Sequence, residues 1–380
     1  MVAITHVGSI KRHFRGLRDP RVKGRSHHLF VDIIVIAICA VIGNCDDWPD
    51  IVLFAQNREA WFRRFHRLPY GVPSHDTFER VFAQINPRVF ERCCLEWLRA
   101  AAELVGVGHI AIDGKTLCGS ANAKLGPLHL VSAWAVEANL SLGQVAVDEH
   151  SNEITAIPKL LELLDIKGAL VTIDAIGCQK AIARKIIERG GDYVLTVKSN
   201  RAALLEDIQA TVEQALEGDL PAGTVQHYTS TEEAHGRREE RSYVVIHKVD
   251  GIEDRAAWPK LTTVGMCYSE RTADGKTTNE TRYFIGSRKA SASTYARVLR
   301  NHWRMENCLH WQLDVSFSED ASRIQDRNGA ENFALLRRMA LSLLKQHPRK
   351  DSVKRKRKAA ALDPDFLAET LAGAAKPGKV

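Results

Sequence analysis

From Asp32 to Leu104 apolar residues recur at helical spacing, and from Gly108 onward they gather into short continuous runs. The first pattern predicts helices over Asp32–Ile42, Trp48–Gln56, Arg58–Phe65, His75–Ile85 and Glu91–Leu104. A break at Asn44–Asp47 and a turn at Leu68–Pro73 interrupt them, and Ser74 stands where an N-cap belongs, with Glu79 close behind. A tight turn before a short polar helix suits a helix-turn-helix DNA reader, and a plain helical bundle fits the same pattern.

The second pattern predicts strands. His109–Ile112 runs into Asp113, and Leu128–Val136 and Gly143–Val147 follow. A helix over Glu153–Leu164, capped by Ser151 or Asn152, leads to a fourth run, Ala169–Ile173, which ends in Asp174. A helix over Cys178–Arg189 closes at Gly190-Gly191, the run Tyr193–Val197 ends in Lys198, and a long helix covers Ala202–Leu216. Three consecutive strands followed by alternating helices and strands predict an α/β domain with a mixed sheet covered on both faces. That is the strand order of the ribonuclease-H-like fold, in which the first and fourth strands are neighbours. Asp113 and Asp174 would then meet at one sheet edge.

Gly218–Ser287 breaks the alternation with short strand-like runs and reads as a β-rich insertion. Helical spacing resumes from Ser293 to about Leu313 and again over Ala330–Gln346. The expected organisation is an all-helical N-terminal DNA-binding domain (1–106), a catalytic domain (107–346) with its insertion at about 218–287, and a basic flexible tail (347–380). Met1–Ser26 reads as a basic arm that orders on contact.

Charge adds to this picture by its distribution. Lysine and arginine total 53 against 46 acidic residues, and the excess is patchy: Lys11–Arg25, Arg58–Arg67, Arg297–Arg304 and Lys354–Lys358. Such patches permit a polyanionic partner. Eight cysteines without a CxxC pair point to buried free thiols of a reducing compartment and exclude a disulfide framework. The most apolar stretch, Leu29–Gly43, is short for a membrane span and carries Asp32, so it is expected to be a core helix of a cytoplasmic, nucleoid-associated protein.

Two aspartates with no thiol or imidazole beside them favour hard cations, Mg²⁺ or Mn²⁺. A pair of ions needs a third acid. The best candidate is Glu306, which shares a helix face with His302 and His310; Glu149, Glu153 and Glu331 are rivals. The histidine spacing is not that of a zinc protease helix. Lys115 and Lys198 stand beside strand ends where an ammonium could meet a phosphate, and the stretch His235–Arg238 suits either a DNA-contacting turn or a simple hairpin.

At this point long motifs coincide with a family. GVPSHDTFERVF, AIDGKTL, LHLVSAWA, ALVTIDAIGCQKAIARKII, GGDYVLTVK, HWRMENCLHWQLDVSFSEDASRI and NGAENFALLRRMAL occur in one order. The chain resembles the DDE transposases of bacterial insertion sequences, in the branch that includes the H-repeat-associated proteins of Rhs elements. The resemblance implies Asp113, Asp174 and Glu306 as catalytic, metal-holding acids, two Mg²⁺ or Mn²⁺ ions, cleavage at element ends and strand transfer into target DNA. It also implies terminal inverted repeats and target DNA as partners, and a homodimer when two ends are paired. Lys115, Lys198, His302, Arg304 and His310 are expected to face the DNA. Of the wider group's tyrosine-arginine-glutamate-lysine signature only Glu306 is present; Leu299, His302 and Leu313 hold the other positions.

Overall fold

The structure, a computed structural model, describes residues 10, 12–22, 24, 26–102, 108–123, 125–149, 151–234 and 236–372. Much of the expected N-terminal arm, His235 and the last residues of the expected tail lie outside these. Within the arm, Ile10, Phe14 and Leu17 are buried against the helices that follow.

Five helices open the chain: α1 (Phe30–Ile42), α2 (Trp48–Asn57), α3 (Glu59–Phe62), α4 (His75–Gln84) and α5 (Pro87–Ala102). α1 is apolar all round and buried from Asp32 to Ile42, as a helix must be when it has no wet face. The single charge it takes inside, Asp32, is paired with the buried His66 ring.

The sheet follows: β1 (His109–Leu117), β2 (Leu128–Ala135), β3 (Leu140–Ala146), β4 (Leu170–Ile173) and β5 (Asp192–Val197). Helices α6 (Glu153–Leu163) and α7 (Lys180–Glu188) make the two crossovers, and α8 (Ala202–Glu217) leaves β5. α8 stops at Gly218, whose φ of +85° suits a residue without a side chain. The expected β-rich insertion is four strands, β6 (Val225–Ala234), β7 (Arg237–Ile246), β8 (Thr263–Ala273) and β9 (Lys276–Gly286). β9 pairs antiparallel with β5, so these strands widen the same sheet to nine, in the order β3-β2-β1-β4-β5-β9-β8-β7-β6. β1, β4 and β5 are parallel, while β2 and β3 run antiparallel beside β1.

Alternation in the strands sends side chains to the two faces of the sheet. Ile110 and Ile112 of β1, with Val131, Ala133 and Ala135 of β2, face the core that includes Ile157, Leu160, Ile182, Ile186 and Ile208 of α6, α7 and α8. Ala111, Leu128, Leu130 and Trp134 face the other side. That second core holds the five opening helices together with the end of α9 (Ala292–Met305), α10 (Trp311–Phe317) and α11 (Arg327–Gln346), through Met305, Leu313 and Leu336, while Tyr295, Val298 and Leu299 of α9 pack on Tyr243 and Phe284 in a third cluster. α11 is buried from Gly329 to Leu344 and packs on α1, α4 and α5. The opening helices therefore do not close a core of their own, and the boundary expected near residue 106 is not a boundary of packing.

The expected flexible tail is corrected. Residues 353–372 form α12 (Val353–Leu362) and α13 (Pro364–Ala372), both docked in the same core. Sequence pattern failed here because the basic run splits: Lys354, Arg355 and Lys358 are exposed, whereas Lys356 and Arg357 are buried on carbonyls and an aspartate.

Candidate active site

β1 does not end at Asp113. It runs on to Leu117 alongside β2, while its parallel pairing with β4 stops at Ile112 opposite Ile173. The next residue on each strand is an aspartate, so Asp113 and Asp174 are neighbours at the point where the two strands part. Asp113 accepts the Gly114 amide at 2.9 Å, and Asp174 accepts the Ile176 amide at 3.2 Å as the cap of a short turn.

Glu306 arrives from the far side of the chain. The expected continuous helix is interrupted: between α9 and α10 the backbone makes one π turn, Glu306–His310, in which the Trp311 amide bonds back to the Glu306 carbonyl. Wide turns of this kind gather at functional sites. His310 Nδ1 lies 3.3 Å from Glu306 Oε2 and 3.8 Å from Asp113 Oδ2. One ligand atom from each of Asp113, Glu306 and His310 falls within 4.8 Å of the others.

Protonation follows from this crowding. Burial pushes Asp113 up to about 6; His310 and the Gly114 amide oppose the rise, and the charges of Asp174 and Glu153 add to it. Asp174 is also raised, first by burial and then by Glu153, against the pull of two backbone amides and Lys198. Glu306, 67% exposed, is held low by its hydrogen bond to His310. Two carboxylates and an imidazole at this spacing, Asp113, Glu306 and His310, are a donor set that fits a divalent ion.

Of the residues expected to face DNA, Lys198 and Arg304 are exposed. Lys115 is only 9% exposed and its ammonium is taken by Asp314 at 2.7 Å and Asp320 at 3.1 Å, which corrects its reading as a free phosphate contact. His302 is corrected too: it is buried, with Nδ1 3.0 Å from Thr172 Oγ1, the same hydroxyl that His109 Nε2 meets at 2.9 Å. His310 is buried against the acids and does not face outward. Arg237 and Arg238 open β7 within a hairpin, and His235 lies outside the described residues.

The rival acids also separate. Glu331 is buried on Arg88, at 3.3 Å, and Glu149 is exposed in the loop after β3. Glu153 is at the site: its Oε1 lies 2.1 Å from where a β-carbon would stand on Gly114, the residue after Asp113.

Asp113 and Asp174 thus adjoin where the parallel strands part, and a separate helix brings Glu306 and His310 onto Asp113, while Asp174 stands outside that tight group. Residues 107–343 match the transposase DDE domain family, and residues 11–98 match the companion family described as DDE_Tnp_1-associated. The chain belongs to the DDE transposase family. It is 37% identical to YncI of Escherichia coli O157:H7, over 98% of this chain and 96% of that protein. It is 36% identical to the H repeat-associated protein YhhI of Escherichia coli strain K12, over 96% of this chain and 98% of that one. A protein of the dhlA 3′ region in Xanthobacter autotrophicus is 42% identical over 74% of this chain and 95% of its own length. Among solved structures, the piggyBac transposase synaptic complex with hairpin DNA aligns over 97% of this chain and 79% of that one. The two chains are 10% identical there, with a TM-score of 0.40.

Proposed function

We propose that the protein cuts DNA at the ends of its own element and joins the freed ends to target DNA. The observation that carries this reading is the meeting of Asp113 and Asp174 at adjacent positions of β1 and β4, with Glu306 brought onto Asp113 by the π turn. The order β3-β2-β1-β4-β5 supports a ribonuclease-H-like catalytic unit, with β6–β9 as its addition.

Asp113, Asp174 and Glu306 would hold Mg²⁺ or Mn²⁺. When bound, such ions polarise phosphoryl oxygens and lower the pKa of water. The chain's own residues set the geometry: backbone amides fix the two aspartates, and His310 orients Glu306. In cleavage a water oxygen bonds to phosphorus as the bond to the 3′ oxygen breaks, and the departing oxygen takes a proton to become a 3′-hydroxyl. In joining, that hydroxyl loses its proton, bonds to a target phosphorus, and displaces the target's own 3′ oxygen in line. Lys198 and Arg304, exposed, would face the backbone of the bound duplex. Pairing of two ends would require two copies of the chain. The block matched over residues 11–98 would read the end sequence.

The test is a cleavage and strand-transfer assay on labelled element ends in Mg²⁺ or Mn²⁺. Wild type is expected to nick and join; Asp174→Ala is expected to lose on the order of 10³-fold in rate while still retarding the DNA in a gel. Nicking without joining would replace the transposase reading with a nuclease. Specific binding without any chemistry in wild type would replace it with a DNA-binding relic of a mobile element.

A further inference from the structure

We propose that Glu153 is a working carboxylate of this centre, seated beside Asp113 and Asp174 by Thr116 and His129, and that its charge helps capture the divalent cation. The inference rests on the cation-dependent reading above and adds a fourth acid to it.

Glu153 is the first residue of α6, which Asn152 caps through the Ile154 amide at 3.0 Å. That end of the helix comes down on the stretch of β1 just past Asp113. Thr116 and His129 are direct cross-strand partners of β1 and β2. Thr116 Oγ1 lies 2.8 Å from His129 Nδ1, and His129 Nε2 lies 2.8 Å from Glu153 Oε1. The fixed ring thus holds one carboxylate oxygen, and among the described residues no protein donor occupies the other.

Gly114 makes the approach possible. A β-carbon there would stand 2.1 Å from Glu153 Oε1 and 2.7 Å from His129 Nε2. Only glycine lets the carboxylate and the ring settle on the backbone whose amide holds Asp113. Glu153 is 16% exposed, so this is not a pair waving in solvent.

A hydrogen bond with His129 would by itself explain a half-buried glutamate. It does not explain why the glutamate is set against Gly114, next to Asp113 and at the point where β1 and β4 part, where its charge adds to the rise of both aspartates. Like charges crowded in this way repel until a cation joins them. His310 adds a further ligand atom to the same centre: it is 6% exposed, its Nδ1 faces Asp113 and Glu306, and the three residues' ligand atoms lie within 4.8 Å of one another.

The experiment titrates full-length protein with Mn²⁺ alone and follows the free-ion signal by electron paramagnetic resonance, with no DNA present. Glu153→Gln keeps the size and the acceptor for His129 and removes only the charge. Its Mn²⁺ affinity should fall about tenfold, the scale on which groups behind a ligand shell matter. Glu153→Asp keeps the charge and shortens the reach, and should lie closer to wild type than Glu153→Gln. That order holds even if both variants melt at a lower temperature, so it separates charge from folding. Wild-type affinity in Glu153→Gln, or equal loss in both variants, overturns the role of Glu153 and leaves the proposed function standing. Absence of Mn²⁺ binding by wild type, with Asp113→Ala as the matched control, overturns the cation-dependent reading and this inference together.

Discussion

His302 shows how a single residue can be read by chemistry and placed by packing. It lies four positions before Glu306, as its spacing says, yet it turns inward and shares the Thr172 hydroxyl with His109. Burial, with smaller pushes from His310 and Arg282, lowers His302 to about 4, and burial lowers His109 to about 3. Both rings are neutral in the folded protein, whereas in the unfolded chain they titrate near 6.5. Between those values the unfolded state binds more protons, so stability is complete above pH 6.5 and falls as the pH drops through about 4. The share of His302 in that loss is on the order of 3 kcal/mol. Urea midpoints measured from pH 7 to pH 4 should therefore decline more gently in His302→Gln than in wild type, with the remainder belonging to His109. Parallel curves would show that His302 is not held neutral.

At the scale of an element, the helix that delivers Glu306 is defined at both ends. α9 starts at Ser291, whose Oγ accepts the Thr294 amide at 3.2 Å, and it ends in the π turn that brings Glu306 and His310 onto Asp113. One cap and one wide turn set where the glutamate falls. Ser291→Ala should cost about 1 kcal/mol, seen as a fall of about 2 °C in the calorimetric melting temperature. An unchanged melting temperature would mean that packing of Tyr295, Val298 and Leu299 alone fixes the start of this helix. The next element is tied back to β1 by Lys115, clasped between Asp314 and Asp320. That clasp joins the strand bearing Asp113 to the helix following Glu306.

Across the whole molecule, the chain's last two helices close what its first helices open. Arg357 is fully buried and donates to the carbonyls of Val41, Cys45 and Ser316 and to the Asp46 carboxylate at 2.8 Å. One guanidinium thereby joins α1, the break after it, α10 and α12. Its planar fork of donors serves several acceptors where an ammonium could not. Arg357→Met would leave those carbonyls without this donor and Asp46 with only the Ser318 hydroxyl, at a cost on the order of 3 kcal/mol. A lower urea midpoint with an unchanged slope is the expected result, and an unshifted midpoint would mean that α12 docks through its apolar residues alone. No helix among the described residues is long and apolar enough to cross a membrane, in keeping with α1 as a core element.

The sequence by itself determined the mixed sheet, the neighbouring placement of Asp113 and Asp174, and the family. Those follow from local information: apolar runs ending in acids, the order of strands and helices, and long motifs in series. It could not tell Glu153 from Glu149 and Glu331, because which of three glutamates reaches the sheet edge depends on where α6 lands and on the room left by Gly114. Nor could it show that Lys115 is already neutralised by Asp314 and Asp320, residues distant along the chain, or that a basic run near the end alternates between solvent and core. The widening of the sheet by β9 against β5 belongs to the same class. Periodicity reports which face of an element is apolar; only packing decides which other element covers it, and so which charges are left facing the substrate.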